Sequence, residues 1–246
     1  MTNLAAFNRA NIHNLTNLWK KMGVSELPSE PLHSDFTTSS SFPHRYWCDW
    51  DNTPFLPSSA FWAALPTRHV VPVWCDKPYA KELEQTLLAL GYSVRFAQQA
   101  MYLELEHYAV PDFPPPDITR VSSPKDIETW VQIASNSFGY AIDSSVIENI
   151  ANDQDIKLFT LHCGDAPAAV GMLYKSGTTV GVHQVGVTEE FRGRGIARTL
   201  MHYLLQVCVD WQATLVTLQA SASGEGLYKQ LGFTRQFSIR NYSRSA

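Results

Sequence analysis

The segment Val185-Gly-Val-Thr-Glu-Glu-Phe-Arg-Gly-Arg-Gly-Ile-Ala-Arg-Thr-Leu200 decides the fold of this chain. Its first residues predict the end of a strand at Val187, and the apolar spacing after Gly195 predicts a helix that runs to about Trp211. The connection between strand and helix alternates arginine with glycine. Because a helix start presents unpaired N–H groups and a partial positive charge, this connection is suited to bind phosphate.

Two residue types make the connection suited to a pyrophosphate in particular. Gly193 and Gly195 allow the ligand to approach the backbone without a Cβ in the way. Arg192, Arg194 and Arg198 add fixed positive charge and forked donors. No Gly-Lys-Ser/Thr follows, which excludes a Walker loop, and no βαβ unit with a later acidic residue supports a dinucleotide fingerprint.

The elements around this segment predict a mixed α/β layer. Ser123, Pro124 and Asp126 form a helix start, with serine as the N-cap. The predicted order in the C-terminal half is a strand at 118–121, helices at 124–136 and 144–151, strands at 156–162, 168–174 and 179–187, the helix at 195–211, a strand at 213–219, a short helix at 226–231 and final strands within 233–242.

Two spaced motifs resemble those of the GNAT superfamily, the GCN5-related N-acetyltransferases. The first is Arg192-x-x-Gly195-x-Ala197, which follows Val185-Gly-Val187 and resembles the family's acetyl-coenzyme A motif. The second is Ala220-Ser-Ala-Ser-Gly-Glu-Gly-Leu-Tyr228-Lys-Gln-Leu-Gly-Phe233. Many members have asparagine where Ser221 stands. The resemblance covers about 118–244 and implies a GNAT acyl-CoA N-acyltransferase fold in the C-terminal domain.

The resemblance also implies which residues hold acetyl-CoA, the acyl donor. In this fold the strand ending at Val187 splays from its neighbour across a bulge, which Gly186 suits, and the backbone groups left unpaired bind the pantetheine arm. The predicted coenzyme-binding residues are Val185, Gly186, Val187, Arg192, Gly193, Arg194, Gly195, Ile196, Ala197, Arg198, Ser221 and Gly224.

The implied reaction is direct attack of an amine on the thioester within a ternary complex. The N–H of Val185 is the candidate that polarises the thioester carbonyl. Tyr228 resembles the family's general acid; the alternative is a tyrosine that only packs against the coenzyme. His183 is the candidate base, because strand alternation predicts it on the face of Val185 and Val187; the alternative is a packed strand histidine.

The proline-rich stretch Val110-Pro-Asp-Phe-Pro-Pro-Pro-Asp117 predicts a division into two domains. We expect an N-terminal domain at 1–110, a linker at 111–117 and the acetyltransferase domain at 118–246. Leu88–Arg95 aligns with Lys229–Gln236, and Val70–Trp74 with Thr214–Leu218, which predicts a degenerate GNAT-like copy that has lost its ligand loop. A second Pro-, Ser- and Thr-rich stretch, 28–43, is predicted to be a loop.

Composition limits the location and the partners. The chain has 246 residues, 45% hydrophobic, and a net charge of −4, which argues against nucleic-acid binding. With no secretion signal or apolar span, we expect no membrane partner and a cytoplasmic location with reduced cysteines. No cysteine or histidine spacing predicts a metal site. A homodimer is compatible with the sequence.

The sequence therefore predicts an N-acetyltransferase of the acyltransferase class that acts on an amine, with a small amine favoured. Two alternatives stay open. One is a non-catalytic acyl-CoA-binding sensor, and the other is an interaction protein in which neither half turns over. The fold alone does not choose between them.

Overall fold

The computed structural model of the chain describes residues 4–25, 35–54, 56–106, 108–109, 111 and 115–244. The elements are, in chain order, α1 Leu4–Met22, β1 Val24–Ser25, β2 Phe36–Ser39, β3 Tyr46–Cys48, α2 Ser59–Ala64, β4 Val71–Trp74, α3 Ala80–Ala89, β5 Tyr92–Glu104, β6 Ile118–Arg120, α4 Pro124–Phe138, α5 Ser144–Ala151, β7 Ile156–Cys163, β8 Ala166–Ser176, β9 Thr179–Val187, a 3-10 turn Glu189–Phe191, α6 Ile196–Asp210, β10 Leu215–Ala220, α7 Glu225–Gln230 and β11 Thr234–Arg244. The elements predicted for 118–246 are found with ends that differ by a few residues, except that the final strands form one continuous strand, β11.

The chain divides into two compact units. One contains residues 1–102 and 219–246, and the other contains residues 103–218. Residues 219–246 group with the N-terminal part because β11 pairs with β4 and β5. These units differ from the expected ranges 1–110 and 118–246, and part of the expected linker, residues 112–114, lies outside the described residues.

The unit formed by residues 103–218 is built on a sheet with the order β10-β9-β8-β7-β6. Neighbours from β6 to β9 are antiparallel, whereas β10 runs parallel to β9. β8 is buried over most of its length, since seven consecutive residues from Ala168 to Tyr174 are buried. A strand buried on both faces must be covered by helices on both sides.

Two helices cover this sheet. α4 begins with the predicted Ser123 cap, whose Oγ accepts from the Asp126 N–H while the Asp126 carboxylate accepts from the Ser123 N–H. The Trp130 indole of α4 donates to the carbonyl of Gly171 at 3.4 Å. α6 packs on the face of the sheet to which a side chain at position 171 would point, since a Cβ there would lie 2.9 Å from Leu204 Cδ1. Glycine at 171 therefore lets α6 pack closely on β8.

The unit formed by residues 1–102 and 219–246 contains two sheets. β1, β2 and β3 form an antiparallel meander, and β11 lies between β4 and β5, antiparallel to both. Phe36–Ser39 was predicted as part of a loop, which is wrong, because these residues pair with β3 and three of the four are buried. Polar threonines and serines hide this strand from a hydrophobicity pattern.

The core of that unit is aromatic on one side of α1 and polar on another. Trp19 packs against Trp47 with ring centroids 5.3 Å apart. Three asparagines of α1, residues 8, 11 and 14, are buried. Asn8 donates to Asp76, and Asn11 donates to the carbonyl of Met101 at 2.9 Å. Hydrogen bonding offsets the cost of burying these amides.

All four cysteines are free thiols, and Cys208 is buried in the core. Among the helices of the described residues, none is both long and apolar enough to cross a bilayer.

Candidate functional site

A bulge interrupts β9 beside the predicted catalytic segment. Val170 pairs with Gly186 and Met172 pairs with His183, so Gln184 and Val185 together lie opposite Gly171. Gln184 absorbs the extra residue by taking a left-handed φ of 51°. The bulge that the sequence predicts at Gly186 therefore lies at Gln184, and Gly186 keeps a regular partner.

The bulge changes which side chains share a face of the sheet. Directly paired residues project to the same face, so His183 lies on the face of Met172, Val170 and Gly186. Gln184 and Val185 lie on the opposite face with Gly171, which packs against α6. The expectation that His183 shares the face of Val185 is wrong, because one inserted residue reverses the alternation. His183 is buried on the α4 face.

Gly186 allows the end of α4 to approach β9. A Cβ at this position would lie 2.8 Å from the Ser137 Cβ and 3.4 Å from Phe138 Cε2. Phe138 in turn stacks on Tyr140, with ring centroids 5.8 Å apart, and both rings are more than one third exposed. The exposed Phe138 ring, with Tyr140 stacked on it, therefore lies near Gly186, on the same face of β9 as His183.

The loop after β9 is open and lacks side-chain capping. Gly193 and Gly195 have left-handed φ values of 75° and 80°, and a Cβ on either would meet no atom within 4 Å. Gly195 is the N-cap of α6, and no side chain caps the helix start. Arg194 and Arg198 are exposed on this loop and the first helical turn. The geometry offers backbone N–H groups and positive charge to an anion.

Arg192 has a structural task in addition to its charge. Its Nε donates to the carbonyl of Val187 at 3.2 Å, and its Nη2 donates to the carbonyl of Ser137 at 3.4 Å. The guanidinium thus ties the end of β9 to the end of α4. Neither Ser137 nor the aromatic pair was predicted as part of the site, because their roles depend on packing against β9; the only local signal is an aromatic residue on each side of the helix-ending Gly139.

The parallel pairing of β9 with β10 ends before β9 does. Paired residues run from Thr179 and Leu215 to Gly181 and Thr217, while β9 continues to Val187. The two strands therefore separate beyond Gly181, as the resemblance implies. Val185 and Val187 are half-buried along this edge.

The second motif, described by itself, forms a serine turn and a short helix. The Ser221 Oγ accepts from the Gly224 N–H at 3.2 Å, and the Ser221 carbonyl accepts from the Glu225 N–H. A Cβ at Gly224 would lie 3.1 Å from Tyr228 Cε2. The Ser221 hydroxyl therefore organises the backbone before α7, a task that asparagine could also perform.

Tyr228 is half-buried and packs edge-on against Phe233, with ring centroids 5.9 Å apart. Desolvation raises the pKa of its phenol to about 12. The group consequently keeps its proton throughout the neutral range. No cluster of three or more histidine, cysteine or carboxylate side chains suited to a metal ion is found within the described ranges.

Comparison with known proteins gives one family match and several solved structures of similar fold. Residues 127–233 match the model of the acetyltransferase (GNAT) family. A solved GCN5-related N-acetyltransferase from Kribbella flavida is 16% identical, with 100% of this chain and 97% of that chain covered and a TM-score of 0.67. A GNAT-family structure from Novosphingobium aromaticivorans is 14% identical, with 96% of each chain covered and a TM-score of 0.59.

A third solved structure has two such domains in one chain. It is a tandem GNAT protein from the clavulanic acid biosynthesis pathway, 11% identical, with 94% of each chain covered and a TM-score of 0.55. No curated protein matches the sequence at a significant level. At these identities the structural likeness concerns the fold.

Proposed function

We propose that the protein transfers an acetyl group from acetyl-CoA to a small amine, since residues 127–233 match the model of the acetyltransferase (GNAT) family. The observation that carries the proposal is the open, uncapped start of α6 directly after a bulged strand that separates from β10. An anion at the loop and an extended arm along β9 are the two parts of one acyl-CoA molecule.

Coenzyme binding would use backbone more than side chains. The N–H groups of 193–197 face the pyrophosphate, while Arg194 and Arg198 supply positive charge from exposed positions. Arg194 is placed by its contact with the Phe191 ring, whose centroid lies 5.4 Å from the guanidinium carbon. The pantetheine arm would pair with the edge of β9 as an added strand does. Acetyl-CoA supplies the activated thioester.

The proposed reaction forms a C–N bond and breaks a C–S bond without a covalent enzyme intermediate. The Val185 N–H would stabilise the charge that develops on the thioester oxygen. Tyr228 would give its proton to the leaving thiolate, and its raised pKa keeps that proton in place beforehand. The amine loses a proton, for which His183 is the candidate acceptor.

The acceptor would lie on the α4 face of β9. His183 and Gly186 lie on this face, and the exposed Phe138 ring, which stacks on Tyr140, lies close to Gly186. Such a surface fits a small amine with an apolar portion. In His183→Gln we expect the dependence of kcat/KM on pH near neutrality to disappear; an unaltered profile would remove histidine as the base.

A second candidate function is coenzyme binding without turnover. The observation that favours it is the Tyr228 pKa of about 12, which makes the phenol a weak proton donor to a thiolate. An acyl-CoA-binding module with this fold would bind acetyl-CoA tightly and release no thiol in the presence of any amine.

The two functions are separated by measuring thiol release from acetyl-CoA across a panel of amines. The panel pairs arylalkylamines with aliphatic amines, polyamines, amino acids and peptide N-termini. We expect release with at least one small amine and loss of release in Tyr228→Phe. Coenzyme binding by calorimetry with no release for any amine would establish the binding module instead.

A further inference from the structure

The segment from α1 to β5 repeats the element order of the segment from α4 to β11, apart from α5 and the 3-10 turn. A helix (α1), a three-stranded meander (β1–β3), a helix (α2), a strand (β4), a helix (α3) and a strand (β5) correspond to α4, β7–β9, α6, β10, α7 and β11. Gly91 and Gly232, which the sequence aligns, both follow the equivalent helix with left-handed φ values of 79° and 93°. β4 and β10 are therefore equivalent strands.

The slot between β3 and β4 begins as the slot between β9 and β10 does. Arg45 forms a parallel bridge with Val70, the Tyr46 N–H donates to the Val70 carbonyl, and the Val70 N–H donates to the His44 carbonyl. This short parallel pairing corresponds to the pairing of Thr179–Gly181 with Leu215–Thr217. Both strand pairs thus start in the same parallel arrangement.

Trp74 then fills the space between the strands from within. Its indole Nε1 donates to the Cys48 carbonyl of β3 at 2.9 Å, and the side chain is 1% exposed. Trp19 stacks on it with ring centroids 6.3 Å apart. The aligned residue on β10 is Leu218, whose side chain has no hydrogen-bond donor. The indole therefore occupies one backbone carbonyl on the edge of β3 that would otherwise be open to an added strand.

The loop after β3 has the wrong charge for a pyrophosphate. Residues 49–58 contain Asp49 and Asp51 and no lysine or arginine. Asp51 accepts hydrogen bonds from Arg9 and His13, and Asp49 accepts one from Lys20, so α1 holds this loop in place. Side-chain hydrogen bonding from Arg9 lowers the Asp51 pKa to about 2. Asp51 therefore stays ionised at neutral pH, and the loop itself supplies no lysine or arginine to a phosphate.

The start of α2 is also closed to an anion. The Ser58 Oγ accepts from the Phe61 N–H at 3.3 Å, so a side chain occupies the position that the open glycine loop leaves free before α6. Three independent features, an indole in the slot, an acidic loop and a capped helix start, thus oppose coenzyme binding in the same unit.

We infer that the N-terminal repeat is a GNAT-like unit closed to coenzyme by Trp74, so that the chain binds one coenzyme A, at the loop 192–198. The count of one rests on the proposed function, whereas the closure of the N-terminal slot rests on the contacts of Trp74, Asp49, Asp51 and Ser58. The N-terminal repeat thus has the GNAT-like element order but no coenzyme A site.

Calorimetric titration of the full chain with coenzyme A tests the inference. We expect a stoichiometry of one, and loss of binding in the double variant Arg194→Glu/Arg198→Glu. The double variant Lys81→Glu/Arg95→Glu changes the net charge equally at exposed positions of the other unit and should bind as the wild type does.

Each other outcome overturns the inference in a different way. A stoichiometry of two would mean that the N-terminal slot opens, while leaving the proposed function intact. A single site that survives Arg194→Glu/Arg198→Glu would place the coenzyme outside the α6 loop. A wild-type chain that binds no coenzyme A would remove the proposed function, and with it the count of one.

Discussion

The slot between β9 and β10 and the slot between β3 and β4 start with the same parallel strand pairing but differ beyond it. Between β9 and β10 the strands separate beside a bulge, and a glycine loop leads into an uncapped helix. Between β3 and β4 a buried indole bridges the strands, and an acidic loop leads into a capped helix. The same strand arrangement can therefore leave the gap open or bridge it with one of its own side chains, depending on a few residues.

We expect the largest effect from removing the proposed proton donor at the β9–β10 site, for which the N-terminal repeat has no proposed counterpart. Tyr228→Phe removes the proposed proton donor while keeping the ring that packs on Phe233. We expect kcat to fall by about 100-fold or more, the usual size for general acid catalysis, and the dissociation constant of coenzyme A to change little. Steady-state kinetics and calorimetry measure both; an unchanged kcat would reduce Tyr228 to a packing residue.

The raised pKa of Tyr228 also predicts a pH profile. Since the phenol titrates at about 12, it stays protonated as pH rises through the neutral and mildly alkaline range. An alkaline decline of kcat with a midpoint below pH ~10, a tyrosine's ordinary pKa, would have to come from another group.

Alanine variants of Gly195 and Gly91 can distinguish the effect of backbone strain from an effect on ligand binding. Gly195 and Gly91 have φ values of 80° and 79°, and a Cβ on either meets no atom within 4 Å. Alanine in a left-handed conformation costs about 1–2 kcal/mol, so both variants should lose similar stability. Only Gly195→Ala should weaken coenzyme binding, by roughly tenfold. Equal affinity in the two variants would contradict the loop as the anion site.

Close packing at Gly186 allows a test of the acceptor side. Gly186→Ala places a Cβ 2.8 Å from the Ser137 Cβ, which pushes the end of α4 and the aromatic pair away from β9. We expect KM for the amine to rise by about tenfold, with coenzyme affinity changed less. Ser137→Gly in the same chain should restore KM in part, and failure of that rescue would show that Ser137 is not the obstacle.

The contribution of the Trp74 hydrogen bond to stability can be measured with Trp62 as a control. Both side chains are buried, but Trp62 Nε1 has no hydrogen-bond partner among the described residues, whereas Trp74 Nε1 donates to Cys48. Phenylalanine at either position loses similar volume, and at 74 it also leaves a buried carbonyl unpaired. Trp74→Phe should therefore lose about 1–2 kcal/mol more unfolding free energy than Trp62→Phe in urea denaturation.

The smallest effect concerns the acidic loop. The Asp51 pKa is lowered to about 2 by Arg9 and His13, so its contribution to stability is present above pH ~4, the unfolded value, and is lost as pH falls towards 2. Asp51→Asn should abolish this part of the acid sensitivity between pH 4 and 2, measured by thermal unfolding. Coenzyme affinity at neutral pH should not change, because this loop has no ligand.

Prediction from sequence succeeded where local signals are strong and failed where packing decides. The Ser123–Asp126 capping box and the apolar spacing of α6 define their helices from residues a turn apart. α1 was not predicted, because its buried face includes Asn8, Asn11 and Asn14, which look exposed in a sequence. Their partners, Asp76 and Met101 for Asn8 and Asn11, lie 68 and 90 residues away.

The sequence by itself determined the glycine loop, the helix after it and the match of residues 127–233 to the acetyltransferase (GNAT) family model, because backbone freedom at Gly193 and Gly195 and helix periodicity are local properties. Only the tertiary structure decided the rest. The bulge at Gln184 determines on which face of the sheet His183 lies. The close approach of α4 explains why residue 186 is glycine. The hydrogen bond from Trp74 to Cys48, 26 residues away in the sequence, places the indole in the slot between β3 and β4. These outcomes depend on strand register and close packing, which no short stretch of residues encodes.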